Sequence, residues 1–224
     1  MTVPTDSSGA TDGPARFVVF EGCDGSGKST QAGRLAARIN AVMTREPGGT
    51  PVGLRVRALL LDHSPEGASL TTRAEALLMA ADRAQNMAEV VLPALASGRH
   101  VVSDRSFGSS LAYQGYGRGL DVVDVMNVSR WAMQDRLPDR IVLLRVPLET
   151  VMDRMARSGS PDRLESEGPG FLERVIDGFD ALVAADPDRW CMVDGVGGID
   201  EIEGRVWTAV ADLFHVAGHE TGSI

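Results

Sequence analysis

The chain has 224 residues, enough for one sizeable α/β domain with its own core, and its 43% apolar and 24% charged residues are ordinary globular proportions. A net charge of −9 argues against a nucleic-acid polymer as partner, because phosphate backbones demand a basic face; a single nucleotide held by a few local arginines stays compatible. No apolar run is long enough to span a bilayer, and residues 1–15, rich in Thr, Ser, Asp and Gly, lack the apolar centre of a signal peptide.

Residues 1–15 and 215–224 are therefore expected to be disordered tails around one domain over 16–214, with no internal repeat and no linker. The domain opens with Arg16-Phe-Val-Val-Phe20, a run suited to a buried parallel strand. Gly22-Cys23-Asp24-Gly25-Ser26-Gly27-Lys28-Ser29 follows and satisfies G-x-x-x-x-G-K-[ST]. A helix then carries Ala32, Leu35, Ala36 and Ile39 at i, i+3, i+4 and i+7. Strand, glycine loop and helix in this order predict a phosphate-binding loop, with backbone N–H groups of residues 22–30, through Thr30, turned on one anion at a helix N-terminus. Lys28 can reach the β- and γ-phosphates of a nucleoside triphosphate, and the Ser29 hydroxyl can ligate its magnesium ion. Cys23 lies inside this loop and Cys191 far from it, which predicts two free thiols in a reducing cytoplasm.

A second strand is expected over 40–44, running into the turn-rich Arg45-Glu46-Pro47-Gly48-Gly49-Thr50. Residues 51–62 read as a helix with Val52, Val56, Leu59 and Leu60 on one stripe, and 63–69 as a polar connector in which His63 is a surface histidine. The longest helical pattern is 71–97, interrupted late by Pro93. Ala74, Leu77, Leu78 and Ala81 form its apolar face and are expected to meet the core, with Met79, Arg83 and Asn86 nearly opposite. Met79 then either packs in a second core layer or faces a substrate. A third strand, 100–104, ends in Asp104 and Arg105, where open parallel sheets bind ligands. Residues 106–119 read as a loop, 121–135 as a helix, 140–146 and 190–193 as strands four and five. The final helix, 199–214, buries Ile202, Val206, Ala209, Val210 and Leu213. Between strands four and five, Arg154, Arg157 and Arg163 flank a Ser-Gly-Ser-Pro break, either as a solvated charged face or as a lid over about 154–168 that closes on phosphates.

These motifs, taken together, resemble the bacterial thymidylate kinases, P-loop nucleoside monophosphate kinases that phosphorylate dTMP to dTDP. The similarity spans about 16–214. It is carried by Phe17-Val-Val-Phe-Glu21-Gly22 with the P-loop, Thr44-Arg-Glu-Pro-Gly-Gly-Thr50, Ala80-Ala-Asp-Arg-Ala-Gln85, Asp104-Arg105, Ser109-Ser-Leu-Ala-Tyr-Gln-Gly115 and Asp162-Arg-Leu-Glu165. The resemblance implies a P-loop fold with a five-stranded parallel sheet, flanking helices and a helical lid. It implies ATP as donor, Mg2+ held at Ser29 and Asp104, and a homodimer, for which helices 71–97 and 121–135 also carry surplus apolar residues. Arg105 is implied to grip the dTMP phosphate, with Asp104 aiding alignment or magnesium. Arg83 would bind the thymine ring, Ser110 and Gln114 flank it, and Tyr113 sit against the sugar. Glu21, Arg45, Glu46 and Pro47 border the same site.

The chain has Gly25 where some members carry a P-loop arginine, so the implied source of that charge is the lid, through Arg154, Arg157 or Arg163. It also departs at Met79 (commonly aromatic), at Ser106 (Tyr or His), at Gly108 (acidic or polar) and at Asp177 (basic). A kinase for another nucleoside or nucleoside monophosphate is the alternative these departures raise; a P-loop switch without kinase activity is the other.

Overall fold

The computed structural model describes residues 13–61, 70–158 and 163–214. Residues 1–12 of the first tail, the whole of the second (215–224), the polar connector 63–69 with His63, and residues 159–162 of the expected lid lie outside the described residues.

Five parallel strands, β1 (Phe17–Glu21), β2 (Val42–Arg45), β3 (Val101–Asp104), β4 (Arg140–Arg145) and β5 (Trp190–Asp194), are ordered β2-β3-β1-β4-β5. Both faces of the sheet are covered, so the central strands read as continuous apolar runs. Phe17, Val19, Val101, Ile141 and Leu143 pack on one side, and Val18, Phe20, Val102, Val142 and Leu144 on the other. The second side is closed by α1 (Lys28–Arg38) and by the final helix α9 (Ile199–Val210), with Ile202, Val206 and Val210 buried. The first lies under α3 (Thr72–Asn86), α5 (Phe107–Ser110), α6 (Val122–Ala132) and α8 (Pro169–Ala185). Two further helices, α2 (Pro51–Leu61) and α7 (Leu148–Ser158), stand at the carboxyl ends of the strands. The predicted α/β architecture is the one observed.

Chain direction reverses between β1 and β3: β1 leads outward to β2, and β3 leads back across the sheet to β4. The two strands are paired with Phe20 opposite Asp104, which sets the loop after β1 beside the residues after β3. This is the crevice where open α/β sheets hold ligands.

Three local expectations are corrected. Leu77 is 59% exposed and Ala81 is exposed, so the apolar stripe of α3 does not meet the core; the buried face is polar, with Glu75, Asp82, Arg83 and Asn86. On α2, Val56 and Leu60 are buried, but Val52 and Leu59 face outward. Residues 106–119 are not a loop but α5 followed by wide π-helical turns over Leu111–Gly117. Gly117 permits that helix because a Cβ there would stand 2.6 Å from the Phe171 ring on α8. A second π-helical stretch, Met87–Val91, joins α3 to a fourth short helix, α4 (Leu92–Ala96); Pro93 offers no N–H to residue 89, and the ladder widens around the gap.

Candidate active site

A cleft opens at the β1–β3 crevice, lined by residues of the P-loop, of the loop after β2, of α3 and of the segment after β3. Its floor is the P-loop. Gly22, at φ +141°, lies so close to β4 that a Cβ would meet the Leu144 carbonyl oxygen at 2.8 Å, and Gly27 enters α1 at φ +93°. No side chain caps α1 and no acidic residue stands in its first turn, which leaves the N–H groups there open to an anion. Cys23 is buried, which pushes its thiol up to about 11, and both cysteines are free.

Asp24 organises the two cations of the cleft. Its Oδ1 accepts from Lys28 Nζ at 3.1 Å and from Arg105 at 2.8 Å. Burial works against the charge of Asp24, but Arg105 and Lys28 overcome it and hold the carboxyl far below the usual range. Arg105 is held further by the Gly22 carbonyl at 2.9 Å and the Ser109 hydroxyl at 2.8 Å, with its guanidinium 5.2 Å over the Tyr113 ring. Its backbone is left-handed, φ +70°, and its N–H donates to Phe20 at 2.8 Å. A bulky residue in that conformation is strained, and such strain gathers at functional sites. Beside it, the Ser29 hydroxyl donates to Asp104 Oδ2 at 2.5 Å, while Asp104 Oδ1 is buried with no protein partner.

The far wall is built on the polar face of α3. Arg83 is 1% exposed and bound to Glu46 at 2.9 Å, Ser110 at 3.0 Å and Ser129 at 3.2 Å. Asn86 donates to Glu46 at 3.0 Å, and Asp82 accepts from the Gly48 N–H at 2.9 Å. The loop over 45–50 is thus pinned by three side chains of one helix. Met79 lines the cleft and also packs on the core. Arg45, Pro47, Ser106, Ser110, Tyr113 and Gln114 complete the wall.

Of the residues selected from sequence, Glu21 is buried behind the cleft. It accepts from the Ser106 and Ser109 N–H groups at 3.0 Å each and from the Ser109 hydroxyl at 2.5 Å. Glu21 therefore acts on the cleft through Ser109 and Arg105. Burial raises its carboxyl to about 7 against these hydrogen bonds. Between pH 4.5 and 7 the folded chain keeps a proton that the unfolded chain has released, so stability falls as pH rises through that window. Glu21→Gln removes the titration. In urea unfolding the stability of the variant relative to wild type is expected to improve by on the order of 3 kcal/mol from pH 4.5 to 8. Parallel pH profiles would show that Glu21 does not titrate in this window.

The three arginines after β4 separate. Arg154 lies on the P-loop, donating to the Gly25 carbonyl at 2.9 Å, and a Cβ on Gly25 would stand 3.1 Å from Arg154 Cβ. An arginine at position 25 would press on Arg154, which would have to give by a few tenths of an ångström. Arg157 is exposed one turn further along α7. Arg163 turns to the other wall, bonding the Leu60 carbonyl at 2.8 Å and Glu75 at 2.6 Å. Asp177 is exposed on α8. Glu75 and Asp82 escaped the sequence reading, although with Met79, Arg83 and Asn86 they fall at i, i+4, i+7, i+8 and i+11, one helical face.

An uncapped glycine loop with a buried lysine, facing an arginine and a carboxylate from the neighbouring strand, defines a P-loop phosphotransferase. The family model for thymidylate kinase matches residues 20–206. Curated relatives named thymidylate kinase include those of Pelotomaculum thermopropionicum, 48% identical over 80% of this chain and 85% of the relative, and Solidesulfovibrio magneticus, 44% identical over 88% and 99%. That of Cupriavidus metallidurans is 42% identical over 88% and 98%. The chain belongs to the thymidylate kinase family.

Proposed function

We propose that this enzyme transfers the γ-phosphoryl group of ATP to the phosphate of dTMP, giving dTDP. One observation carries the reading: Lys28 from the P-loop and Arg105 from β3 converge on a single oxygen of Asp24. Two phosphate-binding cations, one in the segment after β1 and one in the segment after β3, meet at one point, as transfer between two bound phosphates requires. Phosphates of the donor at Lys28 and of the acceptor at Arg105 would replace that carboxylate contact.

Ser29 and Asp104 fit a magnesium ion, being hard oxygen donors in contact, with one Asp104 oxygen still unpartnered. Bound there, Mg2+ would neutralise charge on the donor phosphates. Arg154, on the P-loop, and Arg157 beyond it are the cations we assign to the moving phosphoryl group, in the place a P-loop arginine would hold. The base sits against Met79, Arg83 and Gln114.

A coupled assay for ADP release, with ATP and magnesium, compares dTMP with dUMP, dCMP and thymidine. Highest kcat/KM on dTMP is expected; preference for thymidine or dCMP would move the substrate and keep the fold. We also propose that the enzyme is a cytoplasmic homodimer. Trp131 (83% exposed) and Val123 (66%) on α6 and Leu77 on α3 are exposed apolar side chains that a second copy would cover. Light scattering at micromolar concentration should give twice the chain mass, and a monomer would refute the assignment. Among the described residues, no helix is long and apolar enough to cross a membrane.

A further inference from the structure

Glu75 lies in the first turn of α3, 1% exposed, behind the cleft wall. Its Oε1 accepts from Gln114 Nε2 at 2.8 Å and from Arg118 at 3.3 Å. Its Oε2 accepts from Arg163 at 2.6 Å and from Arg118 at 3.2 Å. An ionised carboxylate only accepts, so the Gln114 amide must turn its nitrogen towards Glu75 and its oxygen away. That oxygen, Oε1 of a fully buried side chain on the cleft wall, has no protein partner. An acceptor left unpaired in a buried wall is costly until a ligand donates to it.

The other arm of Glu75 reaches the chain beyond α7. Arg163 is fixed by Glu75, by the Leu60 carbonyl and, through its own N–H, by Leu61 at 3.2 Å. The next residue, Leu164, is buried and forms part of the cleft wall. Arg118 extends the cluster to Glu167 at 2.5 Å. We infer that Glu75 is a positioning residue that couples two walls of the acceptor cleft. It aims the Gln114 oxygen at an N–H of the acceptor's base, and through Arg163 it holds Leu164 in place. The inference rests on the acceptor assignment made above. Burial opposes the charge of Glu75, and the hydrogen bonds from Gln114, Arg163 and Arg118 overcome it, keeping the carboxyl below its usual range. The orientation of Gln114 therefore persists at neutral pH.

The test is steady-state kinetics on wild type, Glu75→Gln, Arg163→Met and the double variant, with ATP and dTMP each varied. Glu75→Gln lets the two amides pair in either sense, leaves Arg163 without a carboxylate and leaves Arg118 with Glu167 alone. It is expected to raise KM for dTMP about tenfold or more while KM for ATP changes less than about twofold, a tenfold change being ~1.4 kcal/mol. Arg163→Met should raise KM for dTMP several-fold, and the double variant should fall short of the product of the two, because both act through one cluster. An unchanged KM for dTMP, equal changes for both substrates, or strictly multiplicative effects would overturn the inference. If Glu75→Gln does not fold, Arg163→Met and Glu75→Asp decide: Glu75→Asp, with charge retained, should stay within about threefold of wild type while Arg163→Met does not. The wild-type control separates the two levels. A wild type inactive on dTMP removes the acceptor assignment, whereas an active one with an indifferent Glu75→Gln removes only the coupling.

Discussion

Arg105→Ala is expected to lower kcat/KM for dTMP by between about a hundredfold and a thousandfold, the range found when one donor of a preorganised charge-binding site is removed. The guanidinium joins four parts of the cleft: the Gly22 carbonyl of the P-loop, Asp24, the Ser109 hydroxyl and the Tyr113 ring. Alanine removes the group proposed to bind the acceptor's phosphate and leaves Asp24 with Lys28 as its cation and the Tyr113 hydroxyl at 3.4 Å. Arg105→Lys keeps the charge but replaces a planar fork by one point, so it should recover only part of the loss. The backbone supplies an internal control. At φ +70° an alanine is strained and a glycine is not, so Arg105→Gly should unfold at higher temperature than Arg105→Ala, by the equivalent of about 1 kcal/mol. Both variants should be equally impaired. An Arg105→Gly enzyme turning over at the wild-type rate would show that the conformation matters here and the side chain does not.

Arg105 also shows how much of the site was legible in the sequence. The P-loop was readable because its chemistry is local: strand, glycines, Lys28 and the start of α1 are contiguous. The central strands were readable because both sheet faces are covered, which leaves unbroken apolar runs. The residues after β3 could be assigned from their place at a strand end. Outside such local rules the reading failed in physically intelligible ways. Hydrophobic periodicity assumes that the apolar face is the buried one, and α3 inverts this by burying Glu75, Asp82, Arg83 and Asn86 to hold loops and cleft. Glycine, serine and tyrosine in 106–119 argue for a loop, yet glycine there serves close contact with α8, a reason invisible without its partner. Arg163 looked like a phosphate ligand because only its charge was visible, whereas its partner Glu75 lies 88 positions away.

Gly108 gives the second large effect. At this position the sequence reading marked only an unusual absence of a polar side chain. A Cβ here would stand 2.5 Å from Trp190 Cη2 and 2.8 Å from Glu21 Oε1. Neither neighbour can retreat cheaply. Trp190 is buried between Phe107, at 6.4 Å, and Phe179, at 6.5 Å, and Glu21 is tied to the Ser106 and Ser109 N–H groups. Gly108→Ala is therefore expected to lower unfolding free energy by about 1–3 kcal/mol, the ordinary cost of overpacking. Gly108→Asp should cost more, since it adds a buried carboxyl facing that of Glu21. The strain falls on the residues that place Ser109, and through it Arg105, so kcat/KM for dTMP should drop alongside stability. Trp190→Phe removes the ring that carries Cη2. In that background Gly108→Ala should be tolerated better, with a coupling of about 1 kcal/mol or more in a double-mutant cycle measured by urea unfolding. Strict additivity would mean that the indole is not what demands glycine, and would leave Glu21 as the remaining obstacle. With coupling found, Trp190 at the start of β5 and Gly108 on α5 are one packing decision, made so that Glu21 can reach both serine N–H groups.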